Sequence, residues 1–316
     1  MNDRIPISLY FNVTDHCNSR CTFCAARVPS LENPGAVPLE RILQAYEHYN
    51  LGPDDDVVIN GGEPTLYPRL ETIIHEAIAR GAKVVLFTNG RLLRYFDRAK
   101  TWLSTGIHRV SIPLHGSRAE THDALTKRTG SFEQTIQGIR NTFSLRKEFG
   151  YPYEIELKVL AIKDSLPEWP EIIDLIFRNF GVPDILVMSG LNMWSTARDS
   201  YKNLAPTISP MQIFINEALR HASTYHFPVS LWAIPFCLLN SENLEKFVAS
   251  RQKMKTSPPK RVVYFDPLCL EGIEYPDEEF YPRNEVEPVC RECHLAEICG
   301  PGRVFFQQLL ALSSEK

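Results

Sequence analysis

The chain has 316 residues, with 34 lysines and arginines against 38 aspartates and glutamates and a formal charge of −4. That near-balance excludes a strongly basic nucleic-acid binder held by phosphate neutralisation alone, and 44% hydrophobic, 10% aromatic and 23% charged residues exclude a disordered or fibrous chain. No apolar run approaches the ~18 residues of a membrane helix, and the start MNDRIPISLYFNV lacks the basic-then-apolar order of a signal peptide, so a cytoplasmic protein without a membrane partner is expected.

Short β-branched or apolar runs alternate with longer amphipathic stretches up to residue 230 or so, the pattern of a parallel sheet with helical crossovers. Strands are predicted at 5–13, 56–60, 83–88, 109–114, 154–162 and 185–189, with a further one at 229–233. Helices are predicted from apolar spacing near 3.6 at 39–49, 69–80, 132–147, 168–179 and 211–225. Ser131 is the expected cap of the third helix and Pro210 opens the last. Six strands suffice for a partial (βα)6 TIM-like barrel, whose chemistry sits on loops after the strands' C-terminal ends. Beyond residue 235 the texture changes: 255–289 is rich in Pro, Glu, Asp and Arg, and three cysteines follow. The expected organisation is a barrel over 1–234 and a small, cysteine-rich, metal-stapled domain over 235–316, closed by a helix at 304–312.

Eight cysteines fall at 17, 21, 24, 237, 269, 290, 293 and 299. In a reducing compartment such clusters read as metal ligands before disulfides. Cys17, Cys21 and Cys24 directly follow the first predicted strand, at the end where a barrel builds its active site. Three closely spaced thiolates suit an iron–sulfur cluster or zinc. Zinc usually takes a fourth protein ligand, and His16 is awkwardly adjacent to Cys17.

CxxxCxxC with Phe23 before its last cysteine resembles the cluster loop of the radical S-adenosylmethionine (radical SAM) enzymes. Asn60-Gly61-Gly62-Glu63-Pro64, ending the second strand, resembles the family's turn that binds the methionine amino group of SAM. Thr88 and Ser111, at the ends of the third and fourth strands, match positions where family members contact the amino-acid and ribose portions of SAM. His115, Glu120, His122 and Asp123, followed by Thr129-Gly-Ser-Phe, resemble a loop and helix start of members with extra clusters. They can act as acid–base groups or as caps that order the loop, and the structural reading is favoured. Lys158 and Lys163 carry the same ambiguity.

Cys290, Cys293 and Cys299 form CxxCx5C, similar to part of the auxiliary iron–sulfur domain called SPASM or its shortened form, twitch. Position 303 is Arg and no cysteine follows, which argues against a second auxiliary cluster. Zinc is the rival occupant. A fourth ligand is sought among Cys237, Cys269 and His294, with Cys237 preferred because it follows the strand at 229–233. Cys269 is then a buried inert thiol or a hydrogen donor to a substrate radical, as in radical epimerases of this superfamily.

The resemblance implies a 4Fe–4S cluster that holds SAM and cleaves it reductively to a 5′-deoxyadenosyl radical, and a second, auxiliary 4Fe–4S cluster that takes an electron from the substrate radical. It also implies an electron donor such as flavodoxin or ferredoxin. The expected activity is oxidation of a small molecule such as a sugar or natural-product intermediate, since no N-terminal peptide-binding extension precedes the first strand. A ribosomal-peptide maturase, a radical epimerase, and a non-catalytic electron carrier or zinc-stapled scaffold are the alternatives. Unaided nucleic-acid binding is not expected.

Overall fold

A computed structural model describes residues 4–24, 35–191, 202–254, 260–267, 269–275, 290, 293–295 and 299. The predicted helix at 304–312 and most of 255–289 lie outside the described residues. In chain order the elements are β1 (Ile7–Asn12), α1 (Leu39–His48), β2 (Asp56–Asn60), α2 (Leu70–Ala79), β3 (Lys83–Phe87), α3 (Phe96–Leu103), β4 (Arg109–Pro113), α4 (Ala119–Thr126), α5 (Ser131–Phe149), β5 (Glu154–Leu160), α6 (Trp169–Phe180), β6 (Ile185–Ser189), α7 (Ile208–Thr224), β7 (Val229–Trp232), α8 (Ser241–Met254), β8 (Arg261–Asp266) and β9 (Cys269–Tyr275).

All nine strands join one sheet in the order β7-β6-β5-β4-β3-β2-β1-β8-β9. Every pairing is parallel except the β8–β9 hairpin. The α/β barrel is therefore larger than the six strands expected. Beyond β7, the C-terminal segment itself contributes β8, which lies parallel against β1 with Leu9 opposite Val263 and Phe11 opposite Phe265. The run RVVYFD is β-branched and aromatic and reads as a strand; the breaker-rich sequence around it hides the signal.

The sheet curls. Four strand spacings separate β5 from β1, roughly 19 Å in a flat sheet at about 4.8 Å each, yet the charge of Glu156 on β5 reaches Tyr10 on β1 and helps burial and Asp56 raise its pKa. Tyr10 and Glu156 thus face a common lumen. The opposite faces of the strands pack on helices: Phe11 stacks on Phe265 and meets the edge of Tyr46 from α1, and Leu9, Ile59, Leu86, Ile112 and Leu157 are fully buried.

One expected cap is corrected. Ser131 is the first helical residue of α5 and Gly130 its N-cap, without a side-chain cap bond. The Asp123 carboxylate caps instead, accepting from Gly130 N (2.6 Å), Ser131 Oγ (2.8 Å) and Phe132 N (2.8 Å). Burial works against its charge, but these three bonds hold its pKa below the ordinary value. Asp123 is a structural group that locks α4 onto α5.

Candidate active site

The loop after β1 carries Cys17, Cys21 and Cys24, and neighbouring elements pin it at several points. On one side Asp15 N donates to Gly35 O (2.9 Å) and Val37 N to Val13 O (2.9 Å). On another, Arg20 N and Thr22 N donate to Thr126 O and Leu125 O at the end of α4, both at 2.9 Å. The third anchor is the GGEP turn, where Gly62 N donates to Thr14 O (2.6 Å) and Glu63 N to His16 O (2.8 Å). A Cβ on Gly62 would lie 2.4 Å from His16 O, and one on Gly61, whose φ is +140°, 2.7 Å from Thr14 O. Only glycines let the turn approach the loop this closely.

The three thiols share one small space. Burial first, and then the neighbouring Glu63 and Cys24, push the Cys17 thiol up to about 11 against the bond from Ser19 N. Burial and the proximity of Cys24 and Cys17 push Cys21 up as well. Thiolates this costly to bury as bare anions need a cationic centre to hold their charge. Among the described residues, no three His, Cys, Asp or Glu side chains converge as ligands of a single ion. An all-sulfur donor set on one glycine-backed loop fits an iron–sulfur cluster.

Glu63 is 1% exposed. Its carboxylate accepts from Thr65 N (3.1 Å), Thr65 Oγ1 (2.5 Å), Thr88 Oγ1 (2.6 Å) and Asn89 N (2.8 Å). Burial nevertheless raises its pKa. With four internal donors, the side chain ties the ends of β2 and β3 together. Thr88 is drawn inward by the same network and accepts from Gly90 N (3.1 Å). Ser111 also points to protein: its hydroxyl donates to Glu156 Oε1 (2.7 Å), and Arg109 Nη1 reaches Glu156 Oε2 (3.3 Å).

Sequence reasoning missed Arg91. It begins the turn after β3, donates to Asn18 O and to Ser19 Oγ (3.0 Å), and is steadied by Gln134 Oε1 (2.8 Å). Asn89 Nδ2 adds a bond to Asn18 Oδ1 (2.7 Å). The arch between Cys17 and Cys21 is thus clamped to β3. Its only sequence signal is an arginine immediately after Thr-Asn-Gly.

Phe23 is buried and packs on His115 (4.5 Å between centroids), which faces His122 at 5.5 Å. Burial drives both imidazoles neutral, holding His115 well below the ordinary imidazole range and His122 down to about 4. His122 Nδ1 accepts from His115 N (3.2 Å). Glu120 and Lys163 are exposed. Lys158 lies over the Phe87 ring at 5.1 Å, and burial lowers its pKa against the pull of Glu156.

The second thiol group is assembled from distant segments. Cys237 lies just after β7. Desolvation first, and then the proximity of Cys299, Cys290 and Cys293, push its thiol up to about 11. Cys293 N donates to Cys290 O (3.4 Å) and Cys299 N to Leu295 O (2.8 Å), and Leu295 and Cys299 join the main core. Four thiols drawn near one another supply the all-sulfur donor set of a fully protein-ligated cluster, without converging on a single ion. Cys269 stands at the other edge of the sheet, at the β8–β9 turn, with its N donating to Asp266 Oδ1 (2.8 Å). His294 is exposed.

Comparison with known proteins agrees with this geometry. The chain is 28% identical over 165 residues to the AdoMet-dependent heme synthase of Oleidesulfovibrio alaskensis, covering 52% of this chain and 41% of that one. It is 30% identical over 185 residues to the GTP 3′,8-cyclase of Aquifex aeolicus, covering 55% and 53%. The chain thus spans about half the length of these relatives. In fold it resembles native anSMEcpe with bound AdoMet and Kp18Cys peptide, with a TM-score of 0.64, 13% identity and coverage of 98% and 97%. Residues 11–149, which hold the cysteine loop, the GGEP turn and the Arg91 clamp, match the model of the Radical SAM superfamily, whose members are enzymes that pair a 4Fe–4S cluster with S-adenosylmethionine.

Proposed function

We propose that the chain is a radical SAM oxidoreductase with two iron–sulfur sites. Cys17, Cys21 and Cys24 hold the first cluster, and Phe23, Gly61 and Gly62 shape the SAM site around it. Glu63, Thr88 and Ser111 act from within, fixing the strand ends that face the cofactor. When bound, cluster and SAM supply a 5′-deoxyadenosyl radical able to take hydrogen from a substrate. Cys237, Cys290, Cys293 and Cys299 hold the second cluster, which supplies an acceptor for one further electron. Residues 1–234 are the SAM-cleaving barrel in this reading. Residues 235–316 are a twitch-like auxiliary segment that also lends β8 and β9 to the sheet.

The carrying observation is the cysteine loop locked against a GGEP turn that admits no Cβ. The chain's own tasks are to orient SAM, exclude water and set a substrate C–H beside it. A small-molecule substrate is supported by the heme synthase and GTP cyclase among the relatives. A peptide is the second reading, supported by the peptide-bound structural neighbour, which shares the fold along 98% of this chain. A reducing, cytoplasmic setting accords with eight free cysteines; among the described residues no helix is long and apolar enough to cross a membrane.

The test is iron and acid-labile sulfide per chain after anaerobic reconstitution, together with 5′-deoxyadenosine formed on reduction. About eight irons, falling to about four without the first three cysteines, is the outcome expected of two thiolate-held cubanes. About four falling to none, with zinc retained, overturns the second cluster. Absence of 5′-deoxyadenosine from fully loaded protein overturns the activity.

A further inference from the structure

Alternation along the strands sorts the side chains of the barrel. Leu9, Ile59, Leu86, Ile112 and Leu157 are fully buried on the helical side, so the residues between them face the lumen. Parallel register sets the inward residues in rows. Phe87, Ser111 and Glu156 stand side by side across β3, β4 and β5. One row nearer the strands' C-terminal ends, Lys158 lies between Pro113 and Val187. That is the end of the sheet at which the thiol loop follows β1.

Lys158 is a cation without a counter-ion. Its Nζ leans across β4 to within 5.1 Å of the centroid of the Phe87 ring, and among the described residues its ammonium joins no ion pair or hydrogen bond. Glu156, on the same face of β5, is already engaged: Oε1 accepts from Ser111 Oγ (2.7 Å) and Oε2 from Arg109 Nη1 (3.3 Å). Burial outweighs its pull and lowers the lysine's pKa. A cation withdrawn from water and left unpaired destabilises a fold. A bound anion offsets that loss by supplying charge and hydrogen-bond acceptor together.

The surroundings narrow what the anion belongs to. Tyr10 on β1 stacks on Tyr264 of β8 (4.7 Å between centroids), and the charge of Glu156 reaches Tyr10, so aromatic rings share the lumen with this side of β5. Three strands away, next to the GGEP turn, Asn60 Oδ1 is buried without a hydrogen-bond partner among the described residues. Apolar walls with a few placed polar groups are the usual make-up of a small-molecule site. The thiol loop and the GGEP turn, which hold cluster and SAM in the proposed function, follow β1 and β2. Lys158 stands on β5, round the curl from both, on the side left for a substrate.

We propose that Lys158 anchors an acidic group of the substrate, a carboxylate or a phosphate, inside the barrel lumen. The inference rests on the proposed function and names its substrate class, an organic anion with an aromatic or apolar body. No bond forms or breaks at the amine. The ammonium binds one end of the substrate and so fixes which C–H is presented.

The test uses the full-length, cluster-loaded protein with SAM bound, kept anaerobic. The probes are two organic acids, benzoate and phenyl phosphate, with benzamide as an uncharged counterpart. Isothermal titration compares wild type with Lys158→Met, with Lys158→Arg, and with Lys163→Met, an exposed lysine, as control. At least one acid is expected to bind wild type and to bind Lys158→Met more weakly by roughly tenfold or more, the order of a lost charged hydrogen bond. Lys158→Arg and Lys163→Met should keep most of the affinity, and benzamide should not distinguish the four proteins. The better-bound acid tells carboxylate from phosphate. On wild type alone, the bound acid should slow acetylation of Lys158 by acetic anhydride, read by peptide mapping, and leave Lys163 unprotected.

Equal affinity of the acids for wild type and Lys158→Met, or a Lys158 that neither acid protects, would overturn the anchor. So would a SAM affinity that falls in Lys158→Met while the acids bind unchanged, because the ammonium would then hold the carboxylate of SAM. The proposed function is read separately. Lys158→Met should still form 5′-deoxyadenosine on reduction by dithionite without substrate, and failure of wild type to do so would strike that function and leave the acid titrations standing.

Discussion

The two thiol groups of this chain are built in opposite ways. Cys17, Cys21 and Cys24 lie within eight consecutive residues on a loop that the GGEP turn, the Arg91 turn and the end of α4 all grip. Cys237 meets Cys290, Cys293 and Cys299 across a separation of more than fifty residues. The first group is shaped by the fold and is ready for its metal. In the second, a bound metal would close a long loop and so add to the fold, because closing that loop costs entropy that ligand bonds must offset.

The largest expected effect separates the two groups directly. Changing Cys17, Cys21 and Cys24 together to Ala should remove about four irons and all 5′-deoxyadenosine formation, with thermal stability nearly unchanged. Changing Cys237 to Ala should also remove about four irons while leaving SAM cleavage intact, and it should lower Tm and expose the C-terminal segment to protease. Iron analysis, product assay and limited proteolysis on the same samples read out the contrast. Equal Tm losses in both variants would erase the distinction.

Next in size is Gly62→Ala. Its Cβ meets two backbone atoms of the cysteine loop, His16 O and Asp15 O, within 2.7 Å, and neither is the end of a flexible side chain. Overpacking of this kind costs about 1–3 kcal/mol, occasionally more, and here the strain falls on the loop that holds the thiols. Reconstituted iron at the first site should drop severalfold while the second site fills normally. Gly138→Ala strains the neighbouring Arg91 turn instead: its Cβ would lie 2.1 Å from Gly90 O, so it should lower Tm and spare the second site.

Much of this division could be read from residues alone. Strands at 56–60 and 185–189 have the bounds observed for β2 and β6, because unbroken β-branched and apolar runs end there in Asn-Gly-Gly and Ser-Gly. Helices α3 and α4 were not anticipated. Each has only eight residues, and the acid and base groups of α4 read as caps that order a loop, the role that Asp123 fills. The hairpin β8–β9 was hidden for a different reason. It sits among prolines and acids, and its strand character is completed by pairing with β1, a contact 254 residues away in sequence that no local pattern contains. The same limit hid Glu156 as the partner of Ser111 and Arg91 as the clamp on Asn18 and Ser19: a side chain's use is decided by what the fold brings beside it.

A smaller effect probes Cys269, which stands apart from the second thiol group and at the same end of the sheet as the first. Cys269→Ala should keep about eight irons per chain, against about four in Cys237→Ala. If turnover also survives, the thiol is structural. If 5′-deoxyadenosine still forms but the substrate loses deuterium without gaining a solvent-derived hydrogen, Cys269 is the hydrogen donor and the reaction is an epimerisation.

The last prediction concerns acid stability and the ring pair behind the cysteine loop. His122 is buried and neutral, with its pKa lowered from 6.5 to about 4 because burial outweighs the attraction of Asp123. The unfolded chain therefore takes up this proton at higher pH than the folded one. Between pH 6.5 and about 4 the unfolded state binds more protons, so folding stability falls as pH falls, and below that window both states are protonated and the loss stops. The difference amounts to about 3 kcal/mol for this one group, and His115, also lowered by burial, acts in the same direction. His122→Asn keeps a polar group near His115 N and removes the titration. Its stability should be lower than wild type at pH 7 yet decline less steeply from pH 6.5 to 4, as followed by urea unfolding at a series of pH values. Parallel curves would mean that folding does not lower the pKa of His122, and the buried, neutral ring pair that packs behind Phe23 would have to be abandoned.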